Sequence, residues 1–429
     1  MELWGKAWWG AEVAPKLREW WKSHGSTLLR IALVLVAIGT PLRLIRVFKD
    51  LIWNSAPGSA GDLISRHLEV HTWFAGQPVY RAIETSDYPP ASYAILWPFL
   101  GWMPLTLARW LWAATILVGL GTLAYIFTRV NEETAPLKWL FVASLPFSVY
   151  PTAAVIGLGQ LTIHSLAALA AGLLILHRGR GSWFEHVTAA ALLIISLAKP
   201  TVTAPFFWLV FLLPGRLRVM ALILIGYLAI TILSAYAQPA SFTALIRDWL
   251  RHRSNISLEM GYINISGWLA GAGFGKAIVP MALITLLCAG VWVWRYRAVD
   301  FWLQLGVLGL ATRFWIHHRA QDDLLILFPM IALLRLARQA DSPDGPEGPE
   351  GPEGNDVTAG LLFALIWITM MAPTDLASRF PKLASLRLIC LGVTWTLTLV
   401  FLLDQARKER ARSPSLLLFE ELKPSEVSV

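Results

Sequence analysis

The chain has 429 residues, of which 56% are hydrophobic and only 15% charged, and its mean hydropathy is +0.56. A soluble domain carries about 25% charged residues, so this composition excludes an ordinary soluble protein and points to an all-α polytopic membrane protein. The net charge of +8 lies in short basic clusters between apolar runs, a positive-inside pattern and not a nucleic-acid-binding face.

Residues 1–26 are basic and Trp-rich and lack the apolar core and cleavage site of a signal peptide. They read as an amphipathic segment lying on the cytoplasmic face of the membrane. Apolar runs then give about twelve candidate spans, at about 20 residues per crossing. They fall near 27–47, 91–128 (bent at Gly101 to Pro104), 138–157, 161–177, 185–198, 200–214, 217–236, 276–295, 299–316, 323–338, 357–372 and 384–403. The pair near 185–214 is short and broken by Pro, so one of its halves reads as a half-span or re-entrant helix. Residues 341–356, with three GPE units, form an extended cytoplasmic linker. The core is therefore 27–340, followed by a C-terminal transmembrane pair at 357–403 and a basic tail at 404–429.

Lys and Arg set the orientation. The N-terminal set is Lys6, Lys16, Arg18, Lys22 and Arg30. The later clusters are Arg129 with Lys138, Arg178 with Arg180, Arg216 with Arg218, Arg295 with Arg297, Arg335 with Arg338, and Arg407 to Arg412. With twelve spans all of these lie on the cytoplasmic side, together with both termini. The external side then receives the 48–90 loop, Gln160, Lys199, the 237–275 loop, His317 to Asp323, and Thr374 to Lys382. Most of the unusual polar residues gather on this face.

Asp62 heads the segment ISRHLEVHTWFAG, which reads as an amphipathic helix. Leu63, Leu68, Val70, Trp73 and Phe74 can form its apolar side; Arg66, His67, Glu69 and His71 supply polar groups. Asp62 is either a helix cap or a catalytic base. Tyr88 precedes Pro89 and Pro90 and is either an interfacial anchor or a substrate contact. Lys199, before Pro200, either snorkels to the interface or contacts a phosphate. The run RFWIHHRAQDD brings Arg313, His317, His318, Arg319, Asp322 and Asp323 to the head of a span. It lacks a zinc-type motif and reads as a cationic site for an anionic leaving group, a metal site or an interfacial belt. Arg247, Arg251, His252 and Arg253 make the 237–275 loop basic against the positive-inside trend, which favours an anion such as a lipid phosphate. Asn255 and Asn264 stand in N-x-S sequences, and GAGFG at 271–275 is a flexible turn without the strand–helix setting of a dinucleotide site. Cys288 and Cys390 lie in apolar runs and read as isolated core thiols.

Gly61-Asp62, Ala75-Gly76, Val79-Tyr80, Tyr88-Pro89-Pro90 and Pro98-Phe99 before Met103-Pro104-Leu105 resemble the first external loop of the family 87 glycosyltransferases. Gly159-Gln160, Lys199-Pro200, Asn255 with Ser257, and Asp323-Leu324 followed by Pro329 extend that resemblance over about residues 30–340. It implies a GT-C-type fold with extracytoplasmic loop helices and a catalytic carboxylate at Asp62. It also implies a polyprenyl-phosphate-linked sugar donor, mannose favoured, and a lipid or glycan acceptor. The expected reaction is an inverting hexosyl transfer at the external face of the plasma membrane, without metal or other cofactor. Gln160, Tyr88, Lys199, Arg251, His317, His318 and Arg319 are the candidates for donor and phosphate binding. A transporter or lipid flippase is the alternative, and a membrane scaffold a further one. A transporter would place its charges and broken helices near the bilayer midplane.

Overall fold

The computed structural model describes residues 13–54, 59–84, 86–132, 134–258, 263–316, 318–339, 355–371 and 381–412. These residues form helices and turns, with no strand among them. Helix α1 (Val13–Trp53) runs unbroken from the basic N-terminal segment through the first apolar stretch, so the first loop begins after Trp53. Residues 1–12 and the 341–354 part of the linker lie outside the described residues.

The loop folds into α2 (Gly61–Phe74) and α3 (Val79–Ala82), and the chain continues through α4 (Pro90–Leu100) and α5 (Leu105–Asn131). Prolines open α4 and precede α5, because a ring that fixes φ and lacks N–H suits a first helical turn. Next come α6 (Pro136–Ser148), α7 (Tyr150–Leu158), α8 (Thr162–Arg178) and α9 (Trp183–Ser196). After them are the short α10 (Pro200–Thr203) and α11 (Phe207–Val210), then α12 (Arg216–Ala235), α13 (Phe242–Leu258), α14 (Ile265–Gly271) and α15 (Ile278–Arg295). The described residues end with α16 (Phe301–Trp315), a 3-10 turn (Ala320–Ile326), α17 (Leu327–Gln339), α18 (Asn355–Met371) and α19 (Pro381–Arg412).

Among the described residues, five helices are long and apolar enough to cross a membrane, or up to seven if each bent pair is one span. The bent pairs are α6 with α7, turned by 44°, and α9 with Pro200–Val210, turned by 117°. Several of the twelve apolar runs are thus shorter helices, such as α8 and α18, whose length falls below a full crossing. Helix α8 is buried between α5 and α9, and α16 packs against α17, α19 and the 3-10 turn. Outward faces stay apolar, as on α12 (Leu224, Ile225, Leu233) and α15 (Leu283, Leu287, Val291), which suits a lipid environment. Cys288 and Cys390 are exposed on such faces, not held in the core.

The basic clusters of α5, α8 and α17 converge. Arg178 donates to the Arg129 carbonyl at 3.1 Å, Arg335 to the Val130 carbonyl at 2.6 Å, and Arg338 to the Asn131 carbonyl. They meet at the C-terminal end of α5. At its N-terminal end, His67 of α2 donates to the Met103 carbonyl at 3.0 Å. At 1.5 Å per residue, α5 separates these two ends by about 40 Å.

Two left-handed residues join α7 to the start of α2. Gly159 has φ 68°, and a Cβ there would lie 2.5 Å from the Leu63 Cβ. Ala60 has φ 52°, is buried, and donates its N–H to the Gly157 carbonyl at 2.8 Å. Gly159→Ala combines an unfavourable φ with a clash against the Leu63 Cβ, so it should lower stability by about 2 kcal/mol or more. Thermal unfolding in detergent measures this; an unchanged Tm would show that α7 and α2 do not meet so closely.

Candidate active site

Asp62 lies in the first turn of α2, one residue inside the helix, whose N-cap is Ala60 and has no side-chain cap. The cap reading of Asp62 is therefore replaced by a carboxylate that leaves the capping to backbone groups. The faces of α2 also differ from expectation. Leu63, Arg66, Glu69, Val70 and Trp73 are buried, whereas Leu68 is 54% and Phe74 39% exposed. Arg66 and Glu69 can be inside because they pair as opposite charges, with Asp87 beside Arg66. Arg66 Nη1 is 2.7 Å from Glu69 Oε2 and 3.3 Å from Asp87 Oδ1, and its guanidinium stacks 4.3 Å over the Tyr88 ring. Burial pushes the Glu69 carboxyl up against the pull of Arg66.

Lys199 stands at the 117° break between α9 and α10. Its Nζ is buried and donates to Asp322 Oδ1 at 2.5 Å and to Thr162 Oγ1 at 2.9 Å. Thr162 in turn donates to Asp322 Oδ1 at 3.0 Å, and the Arg319 N–H reaches Asp322 Oδ2 at 3.3 Å. The break, the start of α8 and the 3-10 turn are thus fastened to one carboxylate. Lys199 does not snorkel; it is held inside, with one ammonium hydrogen left for another acceptor.

These two sets of residues meet. Burial is the largest influence on Asp62 and pushes its pKa up. The charges of Arg66, Lys199 and Arg319 are close enough to oppose that rise, and Asp87 adds to it. Tyr88 is buried in the same region, under the influence of Asp62 and Asp322. Gln160, also buried, accepts the Leu161 N–H at 2.5 Å and so covers the N-terminus of α8 beside Thr162. The structure therefore brings Asp62, Tyr88, Gln160, Lys199 and Arg319 together from five places in the chain.

Other expected residues lie elsewhere. Both ring nitrogens of the buried His318 face backbone carbonyls, Ile316 at 2.8 Å and Thr201 at 3.1 Å. His318 thus clasps the 3-10 turn to α10 and has no nitrogen left for a ligand. Arg251 is exposed on the face of α13 that looks toward Val279, with Phe242, Ile246 and Leu250, and is not among the charges acting on Asp62. It belongs to a different surface, because the opposite side of α13 anchors to the loop through Trp249, which donates to the Asp87 carbonyl at 3.2 Å. His317 lies outside the described residues. Among the described residues, no group of three His, Cys, Asp or Glu is placed to hold a metal ion. Sequence reasoning missed Arg66, Thr162 and the partnership of Asp322 with Lys199. Arg66 was findable, standing four residues after Asp62 and so on the same helical face.

A second buried set adjoins the first. Arg313 and the Tyr150 hydroxyl both donate to Asp323, and Arg313 Nη1 also donates to the Ile263 carbonyl at 3.1 Å.

The model of glycosyltransferase family 87 matches residues 87–334, more than half of the chain. The chain belongs to glycosyltransferase family 87. It is a membrane glycosyltransferase. No curated protein and no solved structure matches it. The matched stretch contains Tyr88, Gln160, Thr162, Lys199, Arg319 and Asp322; Asp62 precedes it, and α18 and α19 follow it.

Two predictions follow from these charges. A raised folded-state pKa means that the fold disfavours ionised Asp62; the penalty grows as pH rises through the unfolded value near about 3.9. Asp62→Asn should therefore raise Tm at pH 7, and the gain should vanish at pH below that value. A lower Tm at pH 7 would contradict the electrostatics described. Asp322→Asn strands the buried Lys199 ammonium and should cost about 3–5 kcal/mol. The double variant Lys199→Met with Asp322→Leu should recover part of that loss; additive losses would show that the two groups are not paired.

Proposed function

We propose that this glycosyltransferase moves a hexose, mannose favoured, from a polyprenyl-phosphate-linked donor to a lipid or glycan acceptor. The reaction is a single inverting displacement at the external face of the plasma membrane. The chain has a GT-C-type fold, in which short and bent helices pack beside the long membrane-crossing ones. One observation carries this reading: a desolvated carboxylate, Asp62, opens a loop helix and faces the cations Lys199 and Arg319.

An acceptor hydroxyl oxygen attacks the anomeric carbon while Asp62 takes its proton. The bond from that carbon to the phosphate oxygen breaks, and prenyl phosphate leaves with the electron pair. Its charge needs cations and hydrogen-bond donors. Arg319 and the remaining ammonium hydrogen of Lys199 supply them on the side of Asp62. The raised pKa makes Asp62 a stronger base than a solvated aspartate, and burial of its surroundings limits competition from water. Gln160 and Tyr88 offer an amide and a phenol for sugar hydroxyls.

The test is sugar transfer by the purified protein in nanodiscs, with radiolabelled prenyl-phosphate mannose and a membrane-lipid acceptor extract. Asp62→Asn should cut turnover by about 10²-fold or more with little change in donor affinity. Full transfer by that variant would sink the assignment. Arg319→Gln should weaken donor use; unchanged KM and kcat would remove Arg319 from the phosphate.

A further inference from the structure

Helix α19 lies beyond the family match. Its inward face carries Arg387, Leu391 and Trp395, spaced by four residues and so aligned along the helix. Leu391 and Trp395 are buried, and Arg387 is half-buried with its Nε and Nη2 shut away from the surface. The Arg387 guanidinium stacks 4.1 Å from the centroid of the Tyr150 ring, and the Arg313 guanidinium stacks 4.9 Å from that of the Trp395 ring. Helix α19 thus gives a cation to a ring of α7 and a ring to a cation of α16. The two recipients share one partner, because the Tyr150 hydroxyl and Arg313 Nε both donate to Asp323.

Tyr150, Arg313 and Asp323 are all buried, where a cation–π contact is worth more than at a surface. A cation over the ring also draws charge from the phenol and makes its hydroxyl a better donor. The far end of the same helix holds the far end of α16, where the Asp300 N–H donates to Glu409 Oε1 at 2.8 Å. Asp323 adjoins Asp322 in the 3-10 turn, so what fixes one carboxylate fixes the other. Asp322 holds Lys199 and Thr162 and receives the Arg319 N–H. Helix α7, which begins at Tyr150, carries near its other end the Gly157 carbonyl that accepts the Ala60 N–H at the start of α2. Both halves of the site, Asp62 and the cations, therefore lean on residues that α19 holds.

We infer that α19 clamps the 3-10 turn. Arg387, acting through Tyr150, and Trp395, acting through Arg313, are positioning residues that fix Asp323 and with it Asp322, Lys199 and Arg319. The effect on donor binding rests on the reading of Lys199 and Arg319 as the cations that meet the donor phosphate. The inference makes α19 part of the catalytic frame, although the family match ends before it.

The experiment is a double-variant cycle of Arg387→Gln and Tyr150→Leu on the full chain, read by sugar transfer from prenyl-phosphate mannose in nanodiscs and by thermal unfolding in detergent. Arg387→Gln should raise the donor KM about tenfold, and Arg387→Lys should recover part of that loss. In the Tyr150→Leu background, Arg387→Gln should change neither KM nor Tm further. Trp395→Leu should raise KM as Arg387→Gln does, and Trp395→Phe, which keeps a ring for Arg313, should restore it; this pair serves if Tyr150→Leu does not fold. Ile389→Ala, on the opposite face of α19, should leave the kinetics unchanged. A fall in kcat at unchanged donor KM, which loss of folded protein alone would give, would overturn the inference. Additive effects of Arg387→Gln and Tyr150→Leu in either readout would overturn it too. If wild type transfers nothing from this donor while the unfolding effects are coupled, the clamp stands and the choice of donor falls.

Discussion

The buried pair of Lys199 and Asp322 is the contact on which the site depends. It joins a sharply broken helix to a 3-10 turn, with Thr162 bridging the two. Such a pair adds little net stability, since desolvation offsets most of the attraction. What it supplies is geometry. Lys199 cannot leave without stranding Asp322, so the break at Pro200 has one conformation. Backbone groups freed there find side-chain partners: Thr203 donates to the Ser196 carbonyl at 3.1 Å and Ser92 to the Ala198 carbonyl at 2.8 Å. Broken helices within a membrane protein are tolerated where such partners or a polar cavity satisfy the backbone.

Helix α2 is then placed on this frame. Its start is fixed by Ala60 and Gly159 against α7, its middle by His67 against the Met103 carbonyl, and its end by Trp73, which donates to the Ser234 carbonyl at 2.9 Å. Arg66 is locked between Glu69, Asp87 and Tyr88 one turn beyond Asp62. The loop helix is therefore held where the carboxylate needs it to be, and among the described residues Asp62 itself caps no helix and joins no ion pair. A carboxylate that is desolvated, uncommitted and close to three cations is suited to proton transfer.

The sequence made the membrane class, the loop helix after Asp62 and the gathering of basic clusters legible, because each leaves a pattern in hydropathy or charge spacing. Arg129, Arg178, Arg335 and Arg338 read as one set in the sequence and meet at one end of α5. The burial of Arg66 and Glu69 was not legible: a periodicity argument places charges outward, and only the presence of Asp87 and Tyr88, two dozen residues or fewer downstream, reverses it. Neither sequence reading of Lys199, snorkelling or a phosphate contact, included its carboxylate partner, which stands far along the chain. Arg251 drew attention as a charge on an unusual side, but a helix has two sides, and Trp249 decided which one faces the site. Helix length was also hard to read, because apolar runs such as 299–316 and 323–338 fill the protein interior as well as a bilayer.

The dependence of kcat/KM for sugar transfer on pH, for wild type and Asp62→Glu, tests the central claim most directly. If burial sets the basicity of Asp62, activity falls with decreasing pH through a limb above about 3.9, the ordinary aspartate value, and the limb moves in the Glu variant. A profile that stays flat down to that pH, or a limb that ignores the substitution, would contradict the account.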